Sequence, residues 1–349
     1  MDFQFKIKGR GTSLNPQNRF EKIDYIPEIE ELDLTDRPKT EYYKDSTKKL
    51  ITYNDSPDIP FKASINPYRG CEHGCIYCFA RPNHEYLGLS AGLDFETKIF
   101  VKENAPELLK DELNSKKWIP QPVAISGVTD CYQQAEKHFK ITRNCLEVFL
   151  EFKNPVGIVT KNYLVTRDID ILKKLSEYNC VHVVLSITTL DSGLCQKMEP
   201  RASHPTYRLK AIEKLAENGI PVMVLIAPVI PGLNDHEIPK IIKKSVEAGA
   251  TQAGYVMLRL PYGVKSLFSK WLEIHYPDRV NKIMHRIESV RDGKLNSSDY
   301  FERMKGKGVF SEQIKEIFNI SCKKYGLNKK STVLEVKHFK RPTNQMSLF

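Results

Sequence analysis

No apolar run in the 349-residue chain can span a bilayer. The longest, VMVLIAPVIPGL at 222–233, is too short and carries two prolines. The opening MDFQFKIKGR lacks the apolar stretch of a secretory signal. These absences predict a cytoplasmic protein with no membrane partner. There is no internal repeat and no low-complexity tract. Eight cysteines in such a chain point to metal binding or catalysis rather than to disulfides.

What is present is a large apolar content, 41%, enough for a sizeable core, and a formal net charge of +10. Residues 301–349 carry 11 Lys and Arg against 4 Glu. A basic end of this kind meets phosphate backbones or an acidic partner, or simply forms a solvated surface. Residues 1–60 are polar, Pro-containing and poorly periodic, and predict an arm that wraps a core or stays partly loose. Within the arm, GRG at 9–11 is a weak signal. From 61 to 264 the pattern changes, and β-rich runs alternate with amphipathic helical runs. The β-rich runs are ASINPY (63–68), PVAISG (122–127), VGIVTK (156–161), VHVVLSIT (181–188), PVMVLIAPV (221–229) and AGYVMLRL (253–260). Ile169, Leu172 and Leu175 share one helical face, Asn218-Gly219 reads as a helix stop, and Asn234-Asp235 as a helix start. Apolar strands separated by helices predict an α/β fold with a parallel sheet, a barrel complete or partial. Its functional end is the C-terminal end of the strands. Residues 265–330 predict a helical extension, and 331–349 a basic tail.

The loop after the first strand reads CEHGCIYCFA, with Cys71, Cys75 and Cys78 at C-x3-C-x2-C spacing and no fourth cysteine nearby. Three thiolates at this spacing can hold three irons of a [4Fe–4S] cluster and leave the fourth open. Zinc, closed by His73 or His84, is the structural alternative. Cys145, Cys180, Cys195 and Cys322 are scattered and read as small buried hydrophobes.

The cysteine spacing, with Tyr77 before the last cysteine, resembles the signature of the radical S-adenosylmethionine (SAM) superfamily. The resemblance covers about 60–265 and is nearest to the spore-photoproduct-lyase-like group, related to DNA repair. It implies a partial (βα)6 TIM-like barrel with an N-terminal arm and a C-terminal helical extension. It implies a [4Fe–4S] cluster on Cys71, Cys75 and Cys78 whose open iron binds SAM. An electron, supplied by a donor such as flavodoxin or ferredoxin, then cleaves SAM to methionine and a 5′-deoxyadenosyl radical that abstracts hydrogen from substrate. SGVTDCYQQAE (126–136) resembles the group's second strand end, which implies Ser126, Gly127 and Thr129 at the SAM amino group. VTKN (159–162) implies Lys161 at its carboxylate, LSITT (185–189) a contact from Ser186, and IAPVIPGLND (226–235) the backbone near Ala227 at the adenine. EPRA (199–202) implies Arg201 as a charge partner, and Tyr77 would pack near SAM. Each position also has a plain structural reading: strand-end polar residues, a rim lysine, an Arg201–Glu199 ion pair, core filling by Tyr77. The lyase donates hydrogen from a cysteine just before a hydroxyl–Asp pair. Val128 stands there, before Thr129-Asp130, with Cys131 three residues on as an out-of-register substitute. Thymine-dimer reversal is therefore not expected. Asp130, Tyr132 and Glu136 are substrate-side candidates by position alone.

The chain ends Gln345-Met346-Ser347-Leu348-Phe349. Two large apolar residues after a basic linker suit a docking peptide, or a patch of the chain's own core. QMSLF resembles the bacterial sliding-clamp-binding pentapeptide, which implies recruitment to DNA. The leading expectation is a radical SAM enzyme acting on DNA. The alternatives are the same chemistry on RNA or a small metabolite, and a clamp-bound adaptor whose cluster is not catalytic.

Overall fold

The structure, a computed structural model, describes residues 7–20, 38–329 and 333–342. The QMSLF segment lies outside the described residues. All six β-rich runs form strands: β1 (Ala63–Ile65), β2 (Val123–Ile125), β3 (Val156–Thr160), β4 (Val181–Ser186), β5 (Val222–Val229) and β6 (Gln252–Met257). They pair in parallel in chain order, with Ala63 opposite Val123, Val123 opposite Val156, Val156 opposite Val181, Val183 opposite Val222, and Met223 opposite Gln252. β1 and β6 do not pair, so the barrel is partial. Thr52–Tyr53 adds an antiparallel strand outside β1. At the other edge the Asn328 side chain accepts from Ala253 N (2.9 Å) and donates to Ala253 O (3.1 Å), occupying ladder groups that a further strand would have paired.

β3, β5 and β6 alternate between buried and half-buried residues. The buried set, including Val156, Ile158, Val222, Val224, Tyr255 and Met257, packs under helices. The other set, including Gly157, Val159, Met223, Leu225 and Ala227, faces the barrel interior by the period-2 rule. The outer layer holds α1 (Ala105–Asn114), α2 (Ile141–Phe152), α3 (Ile169–Ser176), α4 (Pro205–Glu217) and α5 (Ile238–Glu247). α3 buries Ile171, Leu172 and Leu175. α4 stops before Asn218-Gly219, where Gly219 takes φ +72°. A 3-10 turn (Asp235–Glu237) starts right after Asn234 and runs into α5, as the Asn-Asp signal suggests, but the Asn234 side chain does not cap it. The Asn234 amide turns inward instead, bonding Ile230 N (2.6 Å), Thr188 O (2.8 Å) and Pro228 O (3.0 Å). It thus fixes two strand ends rather than capping a helix.

Beyond the barrel lie α6 (Val264–His275), α7 (Val280–Ser289) and α8 (Val309–Tyr325). α8 shares the barrel core through Ile314, Phe318 and Cys322. α6 and α7 build a second core in which Phe268, Trp271, Ile283 and Ile287 pack with Ile76, Tyr77 and Met198. That core anchors the cysteine loop. The described parts of the arm also wrap: Glu41–Lys44 pairs with Lys98–Val101, and Leu93 N donates to Leu14 O at 2.9 Å.

Candidate active site at the barrel mouth

The cysteine loop leaves β1 and is held from beneath by a buried ion pair. Arg81 and Glu96 are both fully buried, with Nη2 and Oε1 2.5 Å apart. Arg81 Nε donates to Cys75 O (3.0 Å) and Nη1 to Gly92 O (2.9 Å), so one guanidinium fixes the path of the loop. The second Glu96 oxygen accepts from Gly11 N at 2.9 Å. Gly11 lies so close that a Cβ there would fall 1.8 Å from Gly74 O. The weak GRG signal therefore marks a clasp: Arg10 Nη1 donates to Glu96 O, Nη2 to Pro38 O (both 2.7 Å), and Gly11 seats against the loop.

Cys71 and Cys75 are buried and Cys78 nearly so. Burial pushes all three thiols up. Cys75 also feels Glu199 and, with opposite sign, Lys161, while Arg81 and Lys161 pull Cys78 down. The three also perturb one another, as neighbours around a shared space do. Among the described residues no three His, Cys, Asp or Glu converge on one ion. Three thiolates at this spacing suit separate irons of one cluster, whereas a zinc tetrahedron needs a fourth ligand. Neither histidine is free to complete a zinc site. His73 places Nδ1 3.4 Å from Asp130 and Nε2 3.2 Å from Asn162. His84 Nε2 lies 2.9 Å from Lys98 O, and burial pushes its pKa down to about 4. The residues present thus fit a [4Fe–4S] cluster, and Cys71, Cys75 and Cys78 are the ones that would hold it.

Across from the loop, the inner ends of β3, β4 and β5 bring Lys161, Ser186 and Ala227 together. Lys161 Nζ donates to Ser186 Oγ (2.5 Å) and Ala227 O (3.1 Å), and Ser186 Oγ donates to Ala227 O (3.2 Å). Lys161 Nζ also lies 3.7 Å from the Glu199 carboxylate. Glu199 is completely buried and bound by Arg208, Tyr77 and Thr188. Burial alone would raise its pKa, but Arg208 and Lys161 outweigh that and hold it far below the usual carboxylate range. Two cations against one carboxylate leave a net positive charge at the barrel end, suited to receiving an anion. Tyr77 OH lies 3.1 Å from Thr188 Oγ1 and also reaches Glu199, tying the cysteine loop to this network.

The turn after β2 carries the remaining predicted contacts. Ser126 takes φ +80°, and its Oγ accepts from Cys131 N at 2.8 Å. Gly127 and Val128 both donate backbone N–H groups to Asn66 Oδ1 at 2.9 Å. Thr129 Oγ1 donates to Gly70 O (2.6 Å), pinning this turn to the cysteine loop. Arg201 bonds Glu72 within the cysteine loop (3.2 Å) and Thr40 (3.2 Å) rather than Glu199, whose partner is Arg208. Cys131 is completely buried in the main core. Tyr132 donates to Asp168, and Glu136 receives Tyr68 and Arg167, so both serve buried networks. Asp130 accepts from Thr160 Oγ1 and Lys161 N, and His73 and these bonds lower its pKa against the opposing effect of burial. Asn66, Arg208 and Gln133, whose amide accepts from Glu72 N (2.9 Å) and donates to Gly70 O (3.2 Å), were not singled out by sequence. Each is an ordinary polar residue whose role appears only when distant strand ends meet.

The sequence profile of the Radical SAM superfamily matches residues 65–244. An uncharacterized protein of Mycobacterium tuberculosis (strain H37Rv) is 33% identical over 249 residues, covering 71% of this chain and 72% of that protein. A radical SAM Nalpha-GlyT isomerase of Pseudomonas phage M6 is 25% identical, covering 69% of this chain and 51% of that protein. In fold, the chain is similar to spore photoproduct lyase complexed with dinucleoside spore photoproduct, with TM-score 0.55 and 14% identity over 81% of this chain and 79% of that one. Among the described residues no helix is long and apolar enough to cross a membrane. Radical SAM enzymes use a [4Fe–4S] cluster and SAM, which together supply one-electron reductive cleavage of SAM. On its sequence match, and with a parallel partial barrel and a three-cysteine loop at its mouth, the chain belongs to the radical SAM superfamily and is a radical SAM enzyme.

Proposed function

We propose that SAM binds between the cysteine loop and the inner ends of β3–β5, and that the enzyme uses it to modify a nucleobase in DNA. The observation that carries the SAM site is Lys161. It is a cation held by Ser186 Oγ and Ala227 O, and it acts electrostatically on both Cys75 and Cys78. Lys161 receives the SAM carboxylate, Ser186 and the Ala227 carbonyl line the same end, and the Ser126–Thr129 turn closes the opposite wall. The reductant is a flavodoxin- or ferredoxin-type donor. DNA is supported by one protein of similar fold, the spore photoproduct lyase complexed with dinucleoside spore photoproduct. Modification, rather than dimer reversal, is supported by Val128 at the lyase-like donor position and by the complete burial of Cys131. Recruitment through Gln345–Phe349 to the sliding clamp completes the reading.

The test is anaerobic reconstitution with iron and sulfide, reduction with dithionite, and chromatography for 5′-deoxyadenosine. Wild type is expected to form it, faster with single-stranded DNA, and Cys75→Ala to form none. Formation that survives loss of Cys75 refutes the cluster assignment. Stimulation by RNA instead of DNA refutes the substrate.

A further inference from the structure

Three arginines gather beyond the end of β6 and take no part in the site described above. Arg291 is almost completely buried and works as a pin. Its Nη2 donates to Leu258 O (2.7 Å) and Arg303 O (3.0 Å), so one guanidinium brings the segment bearing Arg259 against the segment bearing Arg303. Arg303 is matched: Nε and Nη2 grip Asp58 at 2.7 and 2.5 Å. Arg259 is not. Asp58 is already taken, and Arg259 makes no ion pair among the described residues. Its Nε is buried without a hydrogen-bond partner, and Nη1 has only the Met304 sulfur at 3.8 Å.

A largely buried guanidinium beside two other cations, with Asp58 gripped by Arg303 and Glu302 acting on Arg291, is costly unless an anion completes the set. The planar donor fork of arginine suits phosphate. Arg259 also lies 4.9 Å over the ring of Phe79, the residue that directly follows Cys78, and Phe79 is 45% exposed. Stacking on a ring explains a flat side chain there. It does not explain an unmatched charge. Tyr262, three residues beyond Arg259, is exposed as well and sits 3.7 Å under Arg19. Exposed rings interleaved with arginines are the surface on which single strands stack their bases and seat their phosphates.

We propose that Arg259 is a phosphate seat for a nucleic-acid strand entering the barrel mouth, and that Phe79 is the ring on which an adjoining base stacks. This rests on the nucleic-acid reading above and names where the strand is held.

The experiment is fluorescence anisotropy of the full-length, cluster-loaded protein with a fluorescein-labelled oligothymidylate of about 12 nucleotides, repeated across salt concentrations. Arg259→Gln is expected to weaken binding about tenfold and to lower the slope of log K against log salt by about 0.7, the single-strand value for one lost phosphate contact. Arg259→Lys should keep most of that slope. Phe79→Leu should weaken binding with the slope unchanged, because stacking releases no counterion. Unchanged affinity and slope in Arg259→Gln overturns the proposal, as does failure of wild type to bind this strand or its oligouridylate counterpart. The melting temperature of Arg259→Gln should hold or rise, since the variant removes an uncompensated cation. A marked fall would show a structural arginine and would also overturn the proposal. If oligouridylate binds as tightly and shows the same loss in Arg259→Gln, the phosphate seat stands and the DNA reading fails.

Discussion

Glu96→Gln is the most informative single change to the cysteine loop. Both oxygens of Glu96 are committed, Oε1 to Arg81 at 2.5 Å and Oε2 to Gly11 N at 2.9 Å, and neither ionic partner sees solvent. An amide has one acceptor and one donor end. Either orientation of the introduced amide sets an NH2 group against Arg81 or against the Gly11 N–H. The substitution also leaves Arg81 charged and buried with carbonyl partners only. Breaking a buried pair from one side costs about 3–5 kcal/mol, most of it the uncompensated charge. With a urea m-value near the upper end of about 1–3 kcal/mol/M, the unfolding midpoint should fall by about 1 M or more. The assay is urea unfolding of the iron-free protein, followed by tryptophan fluorescence. Adding Arg81→Met to Glu96→Gln should cost far less than Arg81→Met does alone, because the stranded charge is gone. A midpoint shift under about 0.3 M in Glu96→Gln, or simple additivity in the double variant, refutes the reasoning.

Gly11→Ala should unseat the arm, because its Cβ cannot stand 1.8 Å from Gly74 O. Iron content after reconstitution should drop and proteolysis near residue 11 should quicken, whereas normal iron loading would show that the clasp does not support the loop. His84 gives a pH dependence. Its folded pKa of about 4 lies below the ordinary 6.5, so the unfolded chain takes up the proton first as pH falls. The stabilisation is complete above pH 6.5 and is lost from there down to about 4, at up to about 1.4 kcal/mol per pH unit. Melting curves of His84→Gln should show a shallower decline over that window. Asn328→Ala, which frees both ladder groups of Ala253 at the open edge, should cost about 1–2 kcal/mol in chemical denaturation. Deleting Gln345–Phe349 should abolish sliding-clamp binding in surface plasmon resonance and leave 5′-deoxyadenosine formation unchanged.

Much of the frame was legible in the chain alone, for local reasons. Six short apolar runs separated by helical periodicity bury both faces as a parallel sheet under helices, and the strands pair in chain order. The cysteine loop was legible because its three thiols sit within eight residues, Cys71 to Cys78, so no long-range folding is needed to bring them near. Lys161, Ser186 and Ala227 could be placed because VTKN, LSITT and IAPVIPGLND resemble strand segments of the radical SAM family, and the parallel order of β3, β4 and β5 brings the three together.

What the chain alone did not reveal depends on partners far apart in sequence. Arg201 and Arg208 look alike on paper, and only packing sends Arg208 to Glu199 and Arg201 to the buried Glu72 of the cysteine loop. The Asn-Asp pair at 234 has the composition of a helix cap, yet tertiary contacts with two strand ends claim the Asn234 amide. GRG in a polar arm says nothing until Gly11 meets Gly74, 63 positions away. The unmatched charge on Arg259 could not be read at all. Whether an arginine has a carboxylate within reach is decided by which surfaces the fold brings together, and here Asp58 crosses the molecule to Arg303 instead. Local patterning thus determined the barrel and the position of its three-cysteine loop. Tertiary structure alone decided which charges at the mouth are paired and which are left for a ligand, because pairing is a property of distance in space and not of distance along the chain.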